Sequence, residues 1–195
     1  MESANELWLV RHGETEWSAS GRHTSFTDLA LTDKGRQAAI EAGRRLAGIE
    51  FARVLASPLL RARETCSLAG FGSRAEITGD LHEWRYGEDE GRTTAEIREQ
   101  RPLWSIWTDG AAGGETPADI GARADRFIAT VRESEGRVLA FAHAHISRVI
   151  AARWISHPVA DGAVLKLDTA AISVLAWDRD GAVLRLWNDI GRLPA

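Results

Sequence analysis

The chain has 195 residues, of which 44% are hydrophobic and 27% are charged, and its formal net charge is −4. These values are typical of a globular protein with a sizeable core, and we expect one domain over residues 1–195. The negative net charge argues against general binding to nucleic acid or to an anionic membrane surface. No apolar stretch approaches the length of a membrane span, and Cys66 is the only cysteine. We therefore expect a cytoplasmic protein without a secretory signal, a membrane segment or disulfides.

The N-terminal half contains two predicted strands and two predicted helices. Residues 6–11 (ELWLVR) are typical of a buried strand, and residues 12–31 of a polar loop. A helix is predicted near 33–48. Residues 52–56 predict a second short strand. Ser57-Pro58 then has the residue types of an N-cap and first residue of another helix.

The middle of the chain alternates loops with short elements. Residues 75–78 predict a strand, and residues 79–92 a polar loop. Thr116-Pro117 is typical of the N-cap and first residue of a helix, and Asp119 completes a capping box. The apolar residues that follow have helical spacing.

The C-terminal part begins with a predicted strand over 137–142 (RVLAFA) and a helix over 145–156. The last two strands of the chain are joined by a predicted turn at 178–181. Strands that alternate with helices indicate an α/β fold with a mostly parallel central sheet, to which the last hairpin adds an antiparallel component. The predicted strands of this part are 163–168, 171–177 and 182–187.

Three of the predicted strands end in polar residues of one chemical type. The first ends at Arg11-His12-Gly13, and the third central strand ends at His143. The second ends at Ser57, with Arg61 and Arg63 in the helix turn after it. Because ligands bind at the carboxyl ends of the strands in an open α/β sheet, we expect these side chains to meet at one edge.

Arginines and histidines at one edge suit a dianionic phosphate, because the guanidinium forms forked, charge-assisted hydrogen bonds with phosphate oxygens. Gly13 would let the backbone approach the anion closely. A neutral His12 imidazole has an unprotonated nitrogen that can attack phosphorus and form a phosphohistidine, which water then cleaves. Since the arginines neutralise the phosphate, this chemistry requires neither a metal ion nor another cofactor.

The leaving group of a phosphate ester also needs a proton. A carboxylic acid near the phosphate can supply it and then act as a base toward water. The predicted loop over 79–92 offers four candidates, and their spacing does not choose among them: Glu83, Glu88, Asp89 and Glu90.

Five segments in the same order resemble the motifs of the histidine phosphatase superfamily, also called phosphoglycerate mutase-like: LVRHGETEWS, LALTDKG, ASPLLRARET, LHEWRYGEDEG and LAFAHAHISR. They extend from residue 7 to about residue 155. The RHG tripeptide alone is weakly specific, whereas five ordered segments are strongly specific. The resemblance implies a three-layer α/β/α sandwich with a mostly parallel sheet and one antiparallel edge strand.

The resemblance also implies roles for single residues. His12 occupies the position of the phosphorylated nucleophile, and Glu83 that of the general acid and base. Arg61, rather than Arg63, matches the phosphate-binding arginine. The other matched positions are phosphate or substrate contacts: Arg11, Ser18, Thr24, Ser25, Tyr86 and His143.

Two positions depart from the family pattern. Ala144 follows the second histidine where glycine is usual, so this substrate-contacting position carries a methyl group, and Ser25 stands where glycine is common. Several segments are most similar to bacterial acid phosphatases and to the sedoheptulose bisphosphatase branch. The interval between Glu83 and His143 is shorter than in true mutases. The resemblance therefore implies hydrolysis of small phosphate monoesters such as sugar phosphates.

Other functions remain open at this point. A phosphoglycerate mutase would need a phosphoenzyme that resists water, and a non-catalytic phosphate-ester binding module would not need the full set of catalytic residue types. A metallohydrolase could use His143 and His145, but no further ligand set has matching spacing. His145, His23 and Glu115 are left as residues of either the pocket or the structural framework. The expected partner is a small phosphorylated metabolite, and a homodimer is compatible with the sequence.

Overall fold

The computed structural model describes residues 6–179 and 181–191. Within these ranges, one mixed sheet has the strand order β3-β2-β4-β1-β5-β6. Its strands are β1 (Glu6–Arg11), β2 (Arg53–Ala56), β3 (Ala75–Ile77), β4 (Arg137–Ala142), β5 (Ile172–Asp178) and β6 (Gly181–Asp189). The α-helices are α1 (Glu16–Ser20), α2 (Asp33–Leu46), α3 (Leu60–Leu68), α4 (Thr94–Arg98), α5 (Ile106–Asp109), α6 (Pro117–Arg132) and α7 (Ala144–Trp154). Short 3-10 turns occupy Gly72–Arg74, Gly79–Leu81, Gly87–Asp89 and Val159–Val164.

The sheet is mostly parallel and becomes antiparallel toward one edge. Strands β3, β2, β4 and β1 are parallel to one another, whereas β5 pairs antiparallel with both β1 and β6. The strand that runs against the others is therefore β5, one position inside the edge strand β6. The predicted fold class is confirmed. In the turn predicted at 178–181, Asp180 lies outside the described residues.

Helices cover both faces of the sheet. In β4, Val138 and Ala140 belong to a buried cluster that includes residues of α6 and α7. The alternate residues Leu139 and Phe141 belong to a second cluster, with residues of α2 and α3. Because successive strand residues point to opposite faces, this alternation produces the three layers of an α/β/α sandwich.

Helix α6 begins as the sequence predicts. The Thr116 hydroxyl accepts a hydrogen bond from the backbone N–H of Asp119 (3.2 Å), and the Asp119 carboxylate accepts one from the backbone N–H of Thr116 (2.9 Å). Pro117 occupies the first turn. This reciprocal pair satisfies donors that would otherwise be unpaired at the start of the helix.

The start of α3 differs from the prediction at Ser57-Pro58. The helix begins two residues later, at Leu60, and the Asp28 carboxylate accepts a hydrogen bond from the Leu60 N–H (2.7 Å). Ser57 instead prolongs the strand pairing, since its N–H donates to the Phe141 carbonyl (3.0 Å). A side chain from a distant loop thus takes the capping role that the local sequence suggested for serine.

The predicted strand over 163–168 is also wrong. Part of it continues the 3-10 turn Val159–Val164, and the rest forms no strand. Its backbone polar groups bind side chains instead: the Leu167 carbonyl accepts from Arg11 (2.7 Å), and the Lys166 carbonyl accepts from Trp187 (2.6 Å). This segment lies at the carboxyl end of the sheet, next to Arg11, rather than within the sheet. None of the helices in the described residues has the length and apolar character needed to span a membrane.

Candidate active site

A cavity of about 430 Å³ opens at the carboxyl ends of β1 and β4. Its walls come from the end of β1, from α1 and the loop after it, from the loop that carries Glu83, from the start of α7 and from the segment 163–167. This position agrees with the rule that ligands bind at the carboxyl ends of strands in open α/β sheets.

Backbone hydrogen bonds continue the parallel pairing past the strand ends. The His12 N–H donates to the Ala142 carbonyl (2.9 Å), and the Ser57 N–H donates to the Phe141 carbonyl (3.0 Å). His143 directly follows Ala142. The three strand ends therefore bring His12, Ser57 and His143 together, as the strand pattern predicts.

His12 is held in one tautomer. Its ring is almost fully buried, and its Nδ1 lies 2.7 Å from the Gly13 carbonyl oxygen. Because a carbonyl only accepts hydrogen bonds, Nδ1 carries the proton and Nε2 the lone pair. Burial and the positive charges of Arg61 and Arg11 lower the pKa of His12 well below its ordinary value of 6.5. The ring is therefore neutral at pH 7, and Nε2 has the electron pair that a nucleophile needs.

Gly13 has a packing role that the sequence did not reveal. A Cβ at this position would lie 2.5 Å from the carbonyl oxygen of Gly35 in α2, which is closer than real Cβ contacts. The Gly13 N–H donates to the Thr65 hydroxyl (2.9 Å) rather than pointing to the cavity. Glycine here permits close contact between the end of β1 and α2.

Arg11 lines the cavity beside His12. Its Nη1 donates to the Leu167 carbonyl (2.7 Å), which fixes the guanidinium. Its Nε is buried and has no hydrogen-bond partner within the described ranges. A buried N–H without an acceptor is unfavourable, and an oxygen of a bound anion would satisfy it.

Arg61 and His143 are fully buried and lie behind the cavity wall. The Arg61 Nε donates to Nδ1 of His143 (3.2 Å), so the neutral ring of His143 carries its proton on Nε2, 2.8 Å from the Ser57 hydroxyl. Burial and the charge of Arg61 lower the pKa of His143 well below its ordinary value. The His143 and His12 rings lie 5.1 Å apart.

The remaining donors of Arg61 hold a loop. Its Nη2 donates to the carbonyls of Thr24 (3.0 Å) and Ser25 (3.1 Å), and its Nη1 to that of Thr27 (3.2 Å). Arg61 thus fixes the loop that contains two of the predicted substrate contacts. Its predicted contact with phosphate stays a prediction.

Glu83 lies at the N-terminus of α7. Its Oε2 accepts from the backbone N–H of His145 (3.0 Å), and its Oε1 accepts from those of Ile146 (2.9 Å) and Trp84 (2.9 Å). The N-cap residue of α7, His143, provides no capping side chain, so Glu83 supplies the acceptor from outside the helix. Burial acts to raise the pKa of Glu83, but hydrogen bonding and charge from His145 lower it well below its ordinary value.

The structure separates the four acidic candidates of this loop. Glu83 lines the cavity, and the other three do not. Glu88 is exposed, and the buried Asp89 pairs with Arg101. Glu90 accepts hydrogen bonds from the backbone and hydroxyl of Ser25. Only Glu83 of this group lies where it can exchange a proton with a ligand in the cavity.

Tyr86 and His145 form a polar contact inside an aromatic wall. The Tyr86 hydroxyl lies 2.7 Å from Nδ1 of His145. The centres of the His145 and Trp107 rings lie 5.1 Å apart. The distance from Nδ1 of His145 to Oε2 of Glu83 is 3.8 Å. His143 and His145 therefore have different partners, and the described residues contain no group of three or more potential metal ligands.

The remaining predicted contacts differ in their exposure to the cavity. Ser18 and Thr24 line it, although the Ser18 hydroxyl also caps α1 through Thr15. Ser25 does not line the cavity. Its backbone N–H and its hydroxyl donate hydrogen bonds to the Glu90 carboxylate. Ala144, the first residue of α7, lines the cavity, and its contact with substrate stays a prediction.

His23 lines the cavity, whereas Glu115 does not. Burial and the nearby His145 lower the pKa of His23 to about 4. The Glu115 carboxylate forms a buried ion pair with Arg123 at 2.7 Å. Glu115 is therefore part of the framework that carries the site.

Three cationic residues of the cavity wall are absent from the sequence predictions: Arg22, Arg148 and Lys166. Arg148 has a signal that was available, because it lies four residues after Ala144 and hence on the same face of α7. Lys166 had none, since the segment that carries it was predicted to be a strand. Arg22 is paired with Glu96 through two hydrogen bonds.

Comparisons with known proteins agree with this arrangement. The family model of the histidine phosphatase superfamily (branch 1) matches residues 7–190. The chain belongs to this superfamily. The predicted resemblance is therefore confirmed.

Several phosphatases are similar in sequence to this chain. An acid phosphatase of Mycobacterium tuberculosis is 42% identical over 189 residues, which are 93% of this chain and 93% of that protein. A sedoheptulose 1,7-bisphosphatase of Saccharomyces cerevisiae is 39% identical over 179 residues, which are 75% of this chain and 66% of that protein. The solved structure of the open reading frame Rv3214 from Mycobacterium tuberculosis has a TM-score of 0.90 and 39% identity, over 94% of this chain and 97% of that one.

Proposed function

We propose that the protein is a phosphatase that hydrolyses small phosphate monoesters, such as sugar phosphates, through a phosphohistidine on His12. The observation that carries this proposal is the His12 tautomer: a neutral ring at the cavity whose Nδ1–H is fixed on the Gly13 carbonyl, so that Nε2 is unprotonated. The phosphatase relatives support hydrolysis as the overall reaction.

In the first step, Nε2 of His12 attacks phosphorus. An N–P bond forms and the ester P–O bond breaks, and the leaving oxygen takes a proton from Glu83. Arg11 and Arg61 supply positive charge for the phosphoryl oxygens as their charge develops. The Gly13 carbonyl stabilises Nδ1–H while the imidazole becomes cationic.

In the second step, water attacks the phosphohistidine. Glu83, now a carboxylate, takes a proton from the water as its oxygen bonds to phosphorus. The N–P bond breaks, and its electron pair returns to Nε2. Inorganic phosphate leaves, and Glu83 is again protonated for the next ester.

This sequence requires a protonated Glu83 in the complex with the ester. In the protein alone, the backbone N–H groups at the start of α7 favour the carboxylate. A phosphate dianion in the same cavity favours the protonated form, because two negative charges at short distance repel each other. Hydrolysis of esters with poor leaving groups should therefore be faster in mildly acidic solution than at neutral pH.

The proposal is tested with p-nitrophenyl phosphate in the presence of EDTA. We expect wild-type turnover to persist with the chelator, and His12→Ala to lose activity by roughly a thousandfold or more, since the nucleophile is removed. His157→Ala is the matched control, because the His157 side chain is exposed and its Nδ1 lies 2.7 Å from the Asp161 carboxylate. A His12→Ala variant that keeps a tenth or more of the activity, or activity that EDTA abolishes, would refute the mechanism.

A second assay separates hydrolysis from mutase activity. Phosphoglycerates are supplied, and both inorganic phosphate and the isomerised phosphoglycerate are measured. Phosphate release as the main product supports the proposal. Isomerisation with little phosphate release would refute the phosphatase assignment and leave the role of His12 intact.

A further inference from the structure

The cavity wall carries more positive charge than one phosphate group requires. Arg11 lines the cavity next to His12, where the ester phosphate would bind, and the buried Arg61 lies behind the wall there. Arg148 and Lys166 line another part of the same cavity. These two residues have no role in the proposed reaction at His12.

The Arg148 guanidinium is held in a fixed position. Its Nε donates to the Gly162 carbonyl (2.9 Å), and its Nη2 to the Ala163 carbonyl (2.9 Å). Its guanidinium carbon lies 4.4 Å from the centre of the Trp107 ring. Two hydrogen bonds and a cation–π contact orient the group, which reduces the entropy lost when a ligand binds.

The surrounding structure is shaped for this arrangement. A Cβ on Gly162 would lie 2.5 Å from the Trp107 ring, so glycine allows the ring to pack against the backbone. The same residue, Gly162, provides the carbonyl that accepts from Arg148. Trp107 also packs against the main buried cluster. The support for the guanidinium is therefore rigid.

Arg148 has no direct ion-pair partner in the described part of the chain, although the more distant charge of Glu83 acts to raise its pKa. Within residues 6–179 and 181–191, the hydrogen bonds of its guanidinium are made by Nε and Nη2, and Nη1 has no hydrogen-bond partner. Burial lowers the pKa of Arg148, which reflects the unfavourable removal of this charge from water. The neighbouring Lys166 is exposed and adds a second cation, although it lies 3.2 Å from Asp168.

Arg148 lies in the first half of α7, on the wall of the cavity that His12 also lines. It is four residues after Ala144, which is about one helical turn, or roughly 6 Å, along α7 on the same face. Because Arg148 and His12 line the same cavity of about 430 Å³, one small ligand bound there can contact both residues.

We propose that Arg148, assisted by Lys166, binds a second anionic group of the substrate. This inference rests on the proposed function and narrows the substrate class to small metabolites that carry a phosphate or carboxylate in addition to the ester that is hydrolysed. A guanidinium edge and an ammonium group recognise both kinds of anion.

The test compares substrates in matched pairs. Fructose 1,6-bisphosphate is compared with fructose 6-phosphate, and 3-phosphoglycerate with glycerol 3-phosphate. The variant Arg148→Met keeps an unbranched apolar side chain against Trp107 and removes the charge. Arg153→Met is the control on the same helix, because Arg153 forms an exposed ion pair with Asp125 away from the cavity.

We expect Arg148→Met to lower kcat/KM for the doubly anionic substrates by about 10- to 100-fold, mainly through KM, since hydrogen bonds to a charged group are lost. The singly anionic substrates should lose less than about threefold, and Arg153→Met should have no effect. If kcat/KM falls only for the bisphosphate, the subsite binds a phosphate group. If it falls for the doubly anionic member of both pairs, the subsite accepts either a phosphate or a carboxylate. Equal losses for doubly and singly anionic substrates would refute the second subsite.

A binding measurement separates this inference from the proposed function. Calorimetry with fructose 1,6-bisphosphate compares His12→Ala with His12→Ala/Arg148→Met, neither of which needs turnover. Weaker binding by the double variant supports the subsite even if hydrolysis is absent. Equal binding would refute the subsite even if His12-dependent hydrolysis is found.

Discussion

Replacing Arg123 by methionine should unfold the framework that holds Glu83 in place. Arg123 projects from α6 and is buried, as is its partner Glu115. Its guanidinium donates to both carboxylate oxygens of Glu115, at 2.9 and 2.7 Å. It also donates to the carbonyls of Asp80 (2.9 Å) and His82 (2.6 Å), just before Glu83.

The magnitude follows from what methionine leaves behind. The Glu115 carboxylate would keep one hydrogen bond, from the backbone N–H of Arg85 (3.0 Å), but its counter-charge would be gone. Breaking a buried ion pair on one side costs about 3–5 kcal/mol. For a chain of this length, such a loss lowers Tm by roughly 6–20 °C. In the double variant Glu115→Gln/Arg123→Met, no charge remains unpaired, so part of the stability should return.

The assay is urea unfolding at pH 7, followed by circular dichroism. Arg126→Met is the control, because Arg126 lies three residues further along α6 and forms an exposed ion pair with Asp80. This control should change the free energy of unfolding by no more than about 1 kcal/mol. A change of less than about 1 kcal/mol for Arg123→Met, or no recovery in the double variant, would refute the structural role of the Glu115–Arg123 pair.

Two other predictions concern protons. Glu83→Gln should slow the hydrolysis of alkyl phosphates at least tenfold more than that of p-nitrophenyl phosphate, because only the poor leaving group needs the proton. Glu88→Gln is the control, since Glu88 is exposed. Equal slowing of both esters would contradict the role of Glu83 as the acid. The stability of the protein should fall as the pH is lowered from 6.5 to 4.5, because unfolded His12, His23 and His143 bind protons that the folded chain excludes. Each contributes up to about 1.4 kcal/mol per pH unit in this window, whereas Glu83 contributes only below its unfolded pKa. The free energy of unfolding of His23→Gln, measured with urea, should therefore depend less steeply on pH than that of the wild type, and His157→Gln is the control. Identical slopes for His23→Gln and the wild type would show that His23 is not buried as a neutral ring.

The sequence predicts the central sheet well because its strands are short apolar runs bounded by clear polar residues. β1, β2 and β4 agree with the predictions within a residue. The segment 163–168 also contains several apolar residues, but its backbone carbonyls accept hydrogen bonds from the side chains of Arg11 and Trp187 instead of pairing with a strand. The start of α3 was misplaced because its cap, Asp28, is more than thirty residues away in the chain. No local pattern carries that information.

The site follows the same rule. Residues that directly follow strand ends, such as His12 and His143, are predictable because the topology alone brings them together. The spacing of the acidic residues did not separate Glu83 from its neighbours, and only the family resemblance singled it out. The fold supplies the physical distinction, because Asp89 is buried against Arg101 and Glu90 is bonded to Ser25. The sequence suggests that Gly13 allows the backbone to approach a bound anion. In the structure, the close contact with Gly35 explains why glycine is required there.

Glu83 links the proposed proton transfer to the position of α7 in the cavity wall. Its carboxylate caps α7, and the first turns of α7 carry Ala144, His145 and Arg148. A loss of activity in Glu83→Gln could therefore arise from a missing proton or from a displaced helix. The two causes differ in their effect on substrate choice. If only the proton is missing, Glu83→Gln keeps the wild-type preference for doubly anionic esters, because Arg148 stays in place. If α7 moves, that preference falls together with turnover.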